Sequence, residues 1–545
     1  MFFPLNEKQQ SWADSVFSSL TMEEKVFQLI HPNDRKWSES EWIELLEKYP
    51  IGSVFACGRN LEEMKRINRT IQTHSKVPVL ISADMENGTN FIRDTGVEFP
   101  AQMGIAASKV PNAAYMMGKI TARMSRAAGV HWTFSPVIDL NLNPENPITN
   151  IRSLGDDPDQ IIPLFEDIIR GLQEDDLMAA ACKHFPGDGV DDRDQHMLVS
   201  ANLLPFDQWM ELYGRVWKAA IKAGTKSIMC GHISLPDYQG MADDIDHALP
   251  ATLSKKLMTD LLRNELGYQG VLVSDAYPMV GFTCMFPENE LAWRNIEAGS
   301  DSILFSDPRR DFQPMMDALK SGKLSEERVE TAARRIIEMK ASLNIFEDAF
   351  GADPDPSEYT KAHELISDIS EHSVTILRPC GLNQLPLDPE KDKKILTVSL
   401  IRNDNAIRFV DLEEVDNELR KRGFEVDHMK NPGDKELREA LKVYDKVFIN
   451  LTVCNHGALQ LRLSGTPMLS FWHSFFMEAP EKVVYTSFGS PYVLYDHPYF
   501  ENCTCVYGTF PVCQKTAVRY WCGEIEATGV LPVRPHKAKV KRWEF

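Results

Sequence analysis

One stretch of the chain reads Leu177-Met178-Ala179-Ala180-Ala181-Cys182-Lys183-His184-Phe185-Pro186-Gly187-Asp188-Gly189-Val190-Asp191-Asp192-Arg193-Asp194-Gln195-His196. Its first six residues are an apolar run that predicts a buried strand. A Lys-His pair stands at the strand tip, the chain turns at Pro-Gly, and an acidic loop ends in Asp-x-His. Few structural needs explain such a collection at one strand end, so the stretch indicates a functional site.

Seven more apolar runs predict strands near residues 28–31 and at 52–57, 77–82, 133–140, 225–231, 270–274 and 301–305. Helical patterns lie between them, for example at 112–128, 160–174, 206–223, 254–266 and 288–298. Parallel strands need crossover helices, so eight such alternations predict an α/β fold of the (β/α)8 TIM-barrel type. The alternative is an open doubly wound sheet, which would favour a G-x-G-x-x-G loop after its first strand, and the sequence has none.

Polar residues follow strand after strand, where the site of a barrel is built. They are Asp84, Glu86, Asp139, Asn141, Asn143, Lys183, His184, His232 and Asp275. Surface composition alone does not produce such a series. The sequence therefore predicts one site at the carboxyl ends of the strands.

Three parts of the chain are predicted: a catalytic barrel at 1–346, a linker at 347–362 and a smaller α/β sandwich domain at 363–545. Residues 7–30 and 325–346 have helical patterns, and 347–356 are rich in Asp, Pro and Gly. In the second domain we expect strands at 395–401, 424–428, 446–452, 482–487 and 504–507. Helices are expected between them at 410–422, 435–444 and 511–525.

Composition excludes some classes of partner. The 545 residues carry a formal net charge of −20, and the best basic cluster, Lys537 to Arg542, is short. Nucleic acids and anionic membranes need a concentrated basic face, so neither is expected. No apolar run approaches the ~18 residues of a membrane span. The N-terminus lacks a signal-peptide pattern and the ten cysteines are scattered, which favours a reducing cytoplasm.

Each candidate residue has a structural alternative. Asp275, directly after an apolar run, can act as nucleophile or base, or can cap the next helix. Asp194 can orient His196 and raise its pKa, which makes that histidine a competent acid, or both can belong to a solvated loop. Lys183 and His184 suit binding of hydroxyl or carbonyl oxygens, or a strand-end salt bridge and a core histidine.

The roles of Arg152 and of the acidic loop are also open to two interpretations. Arg152 is a binding residue or a structural cation in the same way. The carboxylates of the acidic loop resemble a Ca²⁺ loop in composition but lack its terminal Glu and strict spacing. We expect no metal and no cofactor.

The motifs together resemble glycoside hydrolase family 3, in its NagZ-like β-N-acetylglucosaminidase branch. The resemblance runs in order over most of the chain. Its motifs are Phe134 to Asp139 (F-A-P-V-x-D), Asn150 to Gly155 (N-x-R-S-F-G), Lys183 to His196 (K-H-F-P-G-(x)6-D-x-H), Pro250 to Ser254 (P-A-x-x-S), Ser274 to Met279 (S-D-x-x-x-M) and Ser487 to Tyr492 (S-F-G-(N/S)-P-Y).

The resemblance implies a retaining, exo-acting β-N-acetylhexosaminidase. Asp275 would form the glycosyl-enzyme, and His196, oriented by Asp194, would be acid and then base. The residues implied to hold the sugar are Asp84, Arg152, Lys183, His184 and Met279. The substrate would be a small oligosaccharide or glycoside.

Two departures affect specificity. The family's D-x-E-G-G is Asp84 to Gly88 with Asn at 87, and the His usual after K-H-F-P-G is Asp188. A β-N-acetylglucosaminide or β-glucoside phosphorylase, a β-glucosidase and a non-catalytic carbohydrate-binding protein stay as alternatives. The second domain can contribute to the pocket, bridge a homodimer or support the barrel.

Overall fold

The computed structural model of the protein describes residues 2–35, 37–379, 385–400, 411–452, 478–498, 500 and 502–534. The chain divides into two compact units. The first comprises Met1–Val97, Ala114–Leu140 and Pro158–Thr360, and the second comprises Glu98–Ala113, Asn141–Asp157 and Lys361–Phe545. Two segments from within the predicted barrel domain thus belong to the second unit, and the predicted domain bounds stay a prediction. Three predicted features extend outside the described residues: the strand 395–401 at Ile401, the helix 410–422 at Val410, and the basic cluster Lys537 to Arg542.

The first unit contains the eight predicted barrel strands. They are β1 (Ile30–His31), β2 (Ser53–Phe55), β3 (Leu80–Ala83), β4 (Trp132–Thr133), β5 (Ala179–Phe185), β6 (Ser227–Cys230), β7 (Val271–Ser274) and β8 (Ile303–Leu304). Strands β2 to β7 form a parallel sheet in chain order, and β8 pairs with β1. Bridges from Asn33 to Phe55 and from Val273 to Ser302 join these two sheets at both ends. The (β/α) barrel fold is confirmed.

The barrel is filled by apolar side chains from many strands. Ala179 and Ala181 of β5 and Val271 and Val273 of β7 share one core, because alternate strand residues point to the same side. The other strand residues of this core are Phe55, Leu80, Trp132, Met229 and Leu304. The resulting framework is rigid and holds its strand ends at fixed positions.

Helices separate successive strands, as the crossover rule requires. The first-unit helices are Glu7–Ser19, Met22–Phe27, Glu39–Lys48, Leu61–His74, Ala113–Ala127, Pro158–Gln173, Phe206–Trp209, Met210–Gly214, Arg215–Lys222, Pro236–Gln239, Lys256–Glu265, Val280–Thr283, Glu288–Ala298, Pro308–Lys320 and Glu326–Ser342. The predicted helix at 7–30 is two helices. Thr21 caps the second, because its side chain accepts from the Glu24 N–H while Glu24 bonds back.

Two strand predictions need correction. The run 133–140 forms only a short strand, β4, although Val137 makes an isolated bridge to Lys183. Strand β5 extends to Phe185, so Lys183 and His184 lie within the strand and not beyond it. Pro136 has no N–H to donate, which explains why a continuous ladder is not made there.

The second unit contains a six-stranded sheet. Its strands are β9 (Thr375–Arg378), β10 (Lys394–Leu400), β11 (Glu425–Lys430), β12 (Lys446–Leu451), β13 (Val483–Ser487) and β14 (Cys503–Cys505). The order is β9-β14-β13-β12-β10-β11, with β9 antiparallel to β14 and the other pairs parallel. Its helices include Gln102–Ser108, Glu413–Lys421, Asp434–Val443, Val493–Asp496 and Pro511–Trp521, and the helix Pro356–Ser373 begins in the first unit.

Successive residues of β12 alternate between two cores. Val447 and Ile449 pack with Leu437 of the helix Asp434–Val443, whereas Phe448 packs with Trp521 of the helix Pro511–Trp521. Helices therefore cover both faces of the sheet, as a mostly parallel sheet requires. The predicted α/β sandwich is confirmed.

Candidate active site

The predicted site residues of the barrel lie where the strands end. Asp84 follows β3, Asp275 follows β7, and Lys183 and His184 directly precede Phe185, the last residue of β5. Carboxyl ends of neighbouring parallel strands meet on one rim, so these side chains share it.

Lys183 is an ion-paired cation at the end of β5. Its Nζ lies 2.9 Å from Asp84 Oδ1 and 2.7 Å from Glu86 Oε1, and only 3% of its side chain is exposed. A buried ammonium needs such pairing. Asp84 is 34% exposed, so this carboxylate holds Lys183 and still faces the solvent of the rim.

His184 is fixed by the fully buried carboxylate of Asp139. The Asp139 Oδ2 atom lies 2.7 Å from His184 Nδ1, and Oδ1 accepts the backbone N–H groups of His184 at 3.1 Å and of Asp188 at 2.8 Å. A carboxylate can only accept, so the contact places a proton on Nδ1. Asp139 therefore sets both the ring orientation and the path of the chain after β5.

Asp275 is an ionised carboxylate with little exposure. Its N–H donates to the Cys230 carbonyl at 2.8 Å, and its Oδ1 accepts from the Ala276 N–H at 2.7 Å. Burial would raise its pKa, but the charges of His184, His232 and His196 outweigh burial, so the pKa lies below its usual range. A buried carboxylate that stays ionised can act as a nucleophile.

His232 stands beside Asp275, and its ring is neutral at neutral pH. Burial lowers its pKa, and the nearby Asp275 carboxylate offsets this only in part. Nε2 lies 3.1 Å from the Ala276 carbonyl, which can only accept, so Nε2 carries the proton. Nδ1 then accepts from Thr252 Oγ1 at 2.8 Å.

The Asp-x-His loop forms the predicted dyad. Asp194 Oδ1 lies 2.7 Å from His196 Nδ1 and also accepts the His196 backbone N–H at 2.8 Å. The His196 side chain is 39% exposed and that of Asp194 is 11% exposed. The carboxylate thus orients the ring, and Nε2 is the nitrogen that can exchange protons with a ligand.

The loop is connected to the segment after the Asp275 strand. Val280 N–H donates to the His196 carbonyl at 2.9 Å, and Gly281 N–H donates to the Gln195 carbonyl at 3.3 Å. The charge of His196 is among those that lower the pKa of Asp275. The dyad and Asp275 therefore belong to one site.

The tether between β5 and the dyad is packed against a helix residue, Tyr213. Gly187 has φ +131°, and a Cβ there would lie 2.2 Å from the Tyr213 ring, so glycine is required. The Tyr213 hydroxyl donates to the carbonyls of Asp188 and, at 3.3 Å, of Leu140. These contacts fix the start of the loop.

The acidic side chains of the tether have protein partners. Asp188 is buried and accepts from the Gly189 N–H at 2.7 Å, and Asp191 accepts from Arg193 Nε at 2.6 Å and the Ala201 N–H at 2.8 Å. Within the described ranges, no group of three or more His, Cys, Asp or Glu side chains is arranged to hold a metal ion. Asp188, predicted to affect specificity, is thus a buried part of the loop framework.

Two predicted sugar-binding residues have no role assigned by contacts. Met279 is buried and its N–H donates to the Ala276 carbonyl at 3.1 Å. Arg152 belongs to the second unit, in the short helix Asn150–Arg152, and its Nη1 donates to the Ile148 carbonyl at 3.3 Å. Their predicted contacts with sugar stay predictions.

Four residues of the site were not among the predicted catalytic and sugar-binding set: Glu86, Asp139, Gln195 and His232. Glu86, Asp139 and His232 carried a signal, since each follows a predicted strand end. Gln195 carried none, because its partners come from distant parts of the sequence.

The fold and the site together define a (β/α) barrel protein whose strand ends carry an ionised carboxylate, Asp275, and a separate Asp-His pair. The sequence profile of the Glycosyl hydrolase family 3 N terminal domain matches residues 21–339. That match spans more than half of the chain, and the chain therefore belongs to glycosyl hydrolase family 3 and is a glycoside hydrolase.

The names of similar proteins differ in the activity that they state. The chain is 30% identical to a beta-N-acetylglucosaminidase/beta-glucosidase from Cellulomonas fimi, over 97% of each chain. It is 29% identical to beta-hexosaminidase A from Pseudoalteromonas piscicida, over 56% of this chain and 55% of that one. The structure of the beta-glucoside phosphorylase BglX bound to 2FGlc superposes with a TM-score of 0.87 at 29% identity, covering 98% of this chain and 97% of that one.

No helix in the described part of the chain has both the length and the apolar character needed to cross a bilayer.

Proposed function

We propose that the protein is a retaining, exo-acting β-N-acetylhexosaminidase that releases terminal β-linked N-acetylglucosamine from a small glycoside. One observation carries the proposal. An ionised Asp275 and the Asp194–His196 dyad stand on one rim, and the backbone hydrogen bonds from Val280 and Gly281 join the dyad loop to the segment after Asp275. The 30% identical Cellulomonas fimi relative, named for both N-acetylglucosaminidase and glucosidase activity, supports the sugar class.

In the first step Asp275 attacks the anomeric carbon and the bond to the leaving oxygen breaks. His196 Nε2–H protonates that oxygen, and Asp194 stabilises the imidazolium before the transfer. In the second step neutral His196 takes a proton from water, which attacks the same carbon and releases Asp275. Two inversions give a product of retained β configuration.

The −1 sugar is held by the ion-paired cluster at β3 and β5. Asp84 offers carboxylate oxygens to hydroxyl groups while its ion pair with Lys183 holds it in place, and Asp139 orients His184. Charge-assisted hydrogen bonds of this kind are stronger than neutral ones. Arg152 and Met279 complete the proposed set from the family resemblance.

Phosphorolysis is the second candidate, because the acid/base is an imidazole. A neutral His196 repels a phosphate acceptor less than a carboxylate would. The 29% identical beta-glucoside phosphorylase structure supports this alternative and also a glucoside substrate.

The test is a set of p-nitrophenyl β-glycosides of N-acetylglucosamine and glucose, each assayed with and without phosphate. We expect faster release from the N-acetylglucosaminide, free sugar in water, and a β anomer as the first product seen by NMR. If a sugar 1-phosphate is the main product at saturating phosphate, the reaction is phosphorolysis and not hydrolysis. A preference for the glucoside would overturn the sugar assignment.

The same assay with variants tests the alternative of a non-catalytic carbohydrate-binding protein. Asp275→Ala should lower kcat by about 10⁴-fold or more, since it removes the covalent step. Full hydrolysis by Asp275→Ala would overturn the mechanism as proposed.

A reducing compartment is proposed from the thiols. Cys182 and Cys503 are buried thiols, and burial raises the pKa of each to about 12. Such thiols behave as small apolar side chains. A cytoplasmic location and a possible homodimer stay proposals, to be tested by fractionation and by light scattering.

A further inference from the structure

Gln195, the residue between the two members of the dyad, is almost completely buried, with 1% of its surface exposed. Its neighbours Asp194 and His196 face the site. A buried amide must have its hydrogen bonds satisfied, so its partners show what the loop is fastened to.

The Gln195 side chain connects two parts of the barrel rim. Its Oε1 accepts the His232 backbone N–H at 2.8 Å, just beyond β6, and its Nε2 lies 3.4 Å from Asp188 Oδ2 in the tether. Turning the amide over would set its NH2 group against an N–H donor and its oxygen against a carboxylate. The amide orientation is therefore determined by its partners.

The backbone at the same position makes a third connection. The Gln195 carbonyl accepts from Gly281, in the segment after Asp275, and a Cβ on Gly281 would lie 2.6 Å from that carbonyl oxygen and 2.7 Å from the Leu198 carbonyl oxygen. The loop and the segment that follows the nucleophile are thus in direct backbone contact.

We propose that Gln195 is a positioning residue for the acid/base loop: its buried amide fixes the dyad relative to Asp275. The inference rests on the proposed function, since it needs His196 to be the acid. Asp188, which stands where the family pattern has His, is the partner of Gln195 in the tether. This departure from the family pattern thus has a structural role.

The test uses leaving groups that differ in their need for an acid. A 2,4-dinitrophenolate leaves without protonation, whereas a phenolate needs His196. We compare kcat/KM for the two aryl β-N-acetylglucosaminides in wild type and in Gln195→Met, which removes both hydrogen bonds at similar volume. We expect a loss of about 10- to 100-fold on the phenyl substrate, since general acids contribute 10²–10⁴-fold, and less than about 3-fold on the dinitrophenyl substrate.

Three further variants address the same point by other changes. The methyl group added by Gly281→Ala would lie too close to the Gln195 carbonyl and should displace the loop. This variant should therefore lose more activity on the phenyl than on the dinitrophenyl substrate. Gln195→Glu sets a carboxylate against Asp188 and should lose activity on the phenyl substrate. The double variant Asp188→Asn with Gln195→Glu gives the pair a donor and an acceptor again, so it should regain at least half of that loss on a logarithmic scale.

The matched control is Gln72→Met. Gln72 also joins backbone groups, since its Nε2 donates to the Val79 carbonyl at 2.7 Å and its Oε1 accepts the Val79 N–H at 3.0 Å. It lies before β3, at the amino end of the barrel and away from the rim. This variant should keep the wild-type ratio of the two substrates.

Each outcome is decisive. An equal loss on both substrates in Gln195→Met, or no loss on either, would overturn the positioning role. His196→Ala is assayed alongside: if it does not discriminate between the substrates, the acid assignment itself fails. If His196→Ala discriminates between the two substrates and Gln195→Met does not, His196 remains the acid and only the positioning role of Gln195 is overturned.

Discussion

Asp275 shows how neighbouring side chains set the state of one catalytic group. Its burial favours the protonated form, and three imidazoles around it favour the ionised form and prevail. His184, the imidazole that lowers the pKa of Asp275 most, is held in place by Asp139. The nucleophile thus depends on a residue that touches no substrate.

The first prediction concerns the acid limb of the pH profile. The pKa of Asp275 lies below its ordinary value of 3.8, so the carboxylate stays ionised as pH falls to that value. His184 is the largest of the charges that lower this pKa, so His184→Gln should raise the pKa of Asp275 and move the acid limb to higher pH. The measurement is kcat/KM against pH with the dinitrophenyl substrate, which needs no acid. An acid limb that stays in place would show that His184 does not act on Asp275 through charge.

The second prediction concerns Asp139, which accepts three N–H groups around His184 and Asp188. Asp139→Asn replaces one acceptor oxygen by a donor, which leaves a buried N–H unsatisfied. We expect the free energy of unfolding to fall by about 2 kcal/mol or more, and kcat/KM to fall by about 10-fold or more. Urea unfolding and steady-state kinetics measure the two effects. A change in stability without a change in kcat/KM would remove Asp139 from the site.

At the scale of elements, the sequence predicted the strands well and the contacts of the loops poorly. Apolar runs such as 177–182 are local signals, and strands in a barrel must be apolar because they are buried. The extension of β5 to Phe185 and the shortness of β4 come from pairing between distant segments. For the same reason the dyad could be predicted from Asp-x-His, while the burial of Gln195 between β6 and the tether could not.

The third prediction concerns the amino end of β8, where Asp301 is buried among three arginines. Its carboxylate accepts from Arg263 Nη2 at 2.7 Å, from Arg335 Nη1 at 3.3 Å and from Arg328, and also from the Leu272 N–H at 2.9 Å. Asp301→Asn leaves these cations without a counter-charge and should lower the free energy of unfolding by about 3–5 kcal/mol. The residue lies before the strand and not on the rim. The folded fraction should therefore keep wild-type kcat/KM, which makes this variant a control for Asp139→Asn.

At the scale of the whole molecule, buried ionisable groups make stability depend on pH. His31 lies inside the barrel, where its ring nitrogens contact Ser302 Oγ at 3.1 Å and Ser82 Oγ at 2.8 Å, and burial lowers its pKa to about 3. His131 accepts the Ile81 N–H at Nδ1 and lies 2.8 Å from the Ala349 carbonyl at Nε2. Burial holds its pKa well below the usual range. Both rings are neutral in the folded protein.

The last prediction follows from these two histidines. Between the folded pKa and the unfolded value of 6.5, the unfolded chain binds more protons than the folded one, so stability falls as pH is lowered through 6.5. At pH 5 each histidine should cost about 2 kcal/mol relative to pH 7.5. Urea unfolding at both pH values measures the loss, and His31→Gln should reduce it by about one histidine's share. His247→Gln is the control, because His247 is exposed and its pKa is raised by Asp244, so its removal cannot reduce the acid loss. If His31→Gln loses as much stability on acidification as wild type, protonation of His31 does not oppose folding, and the acid sensitivity must come from other groups.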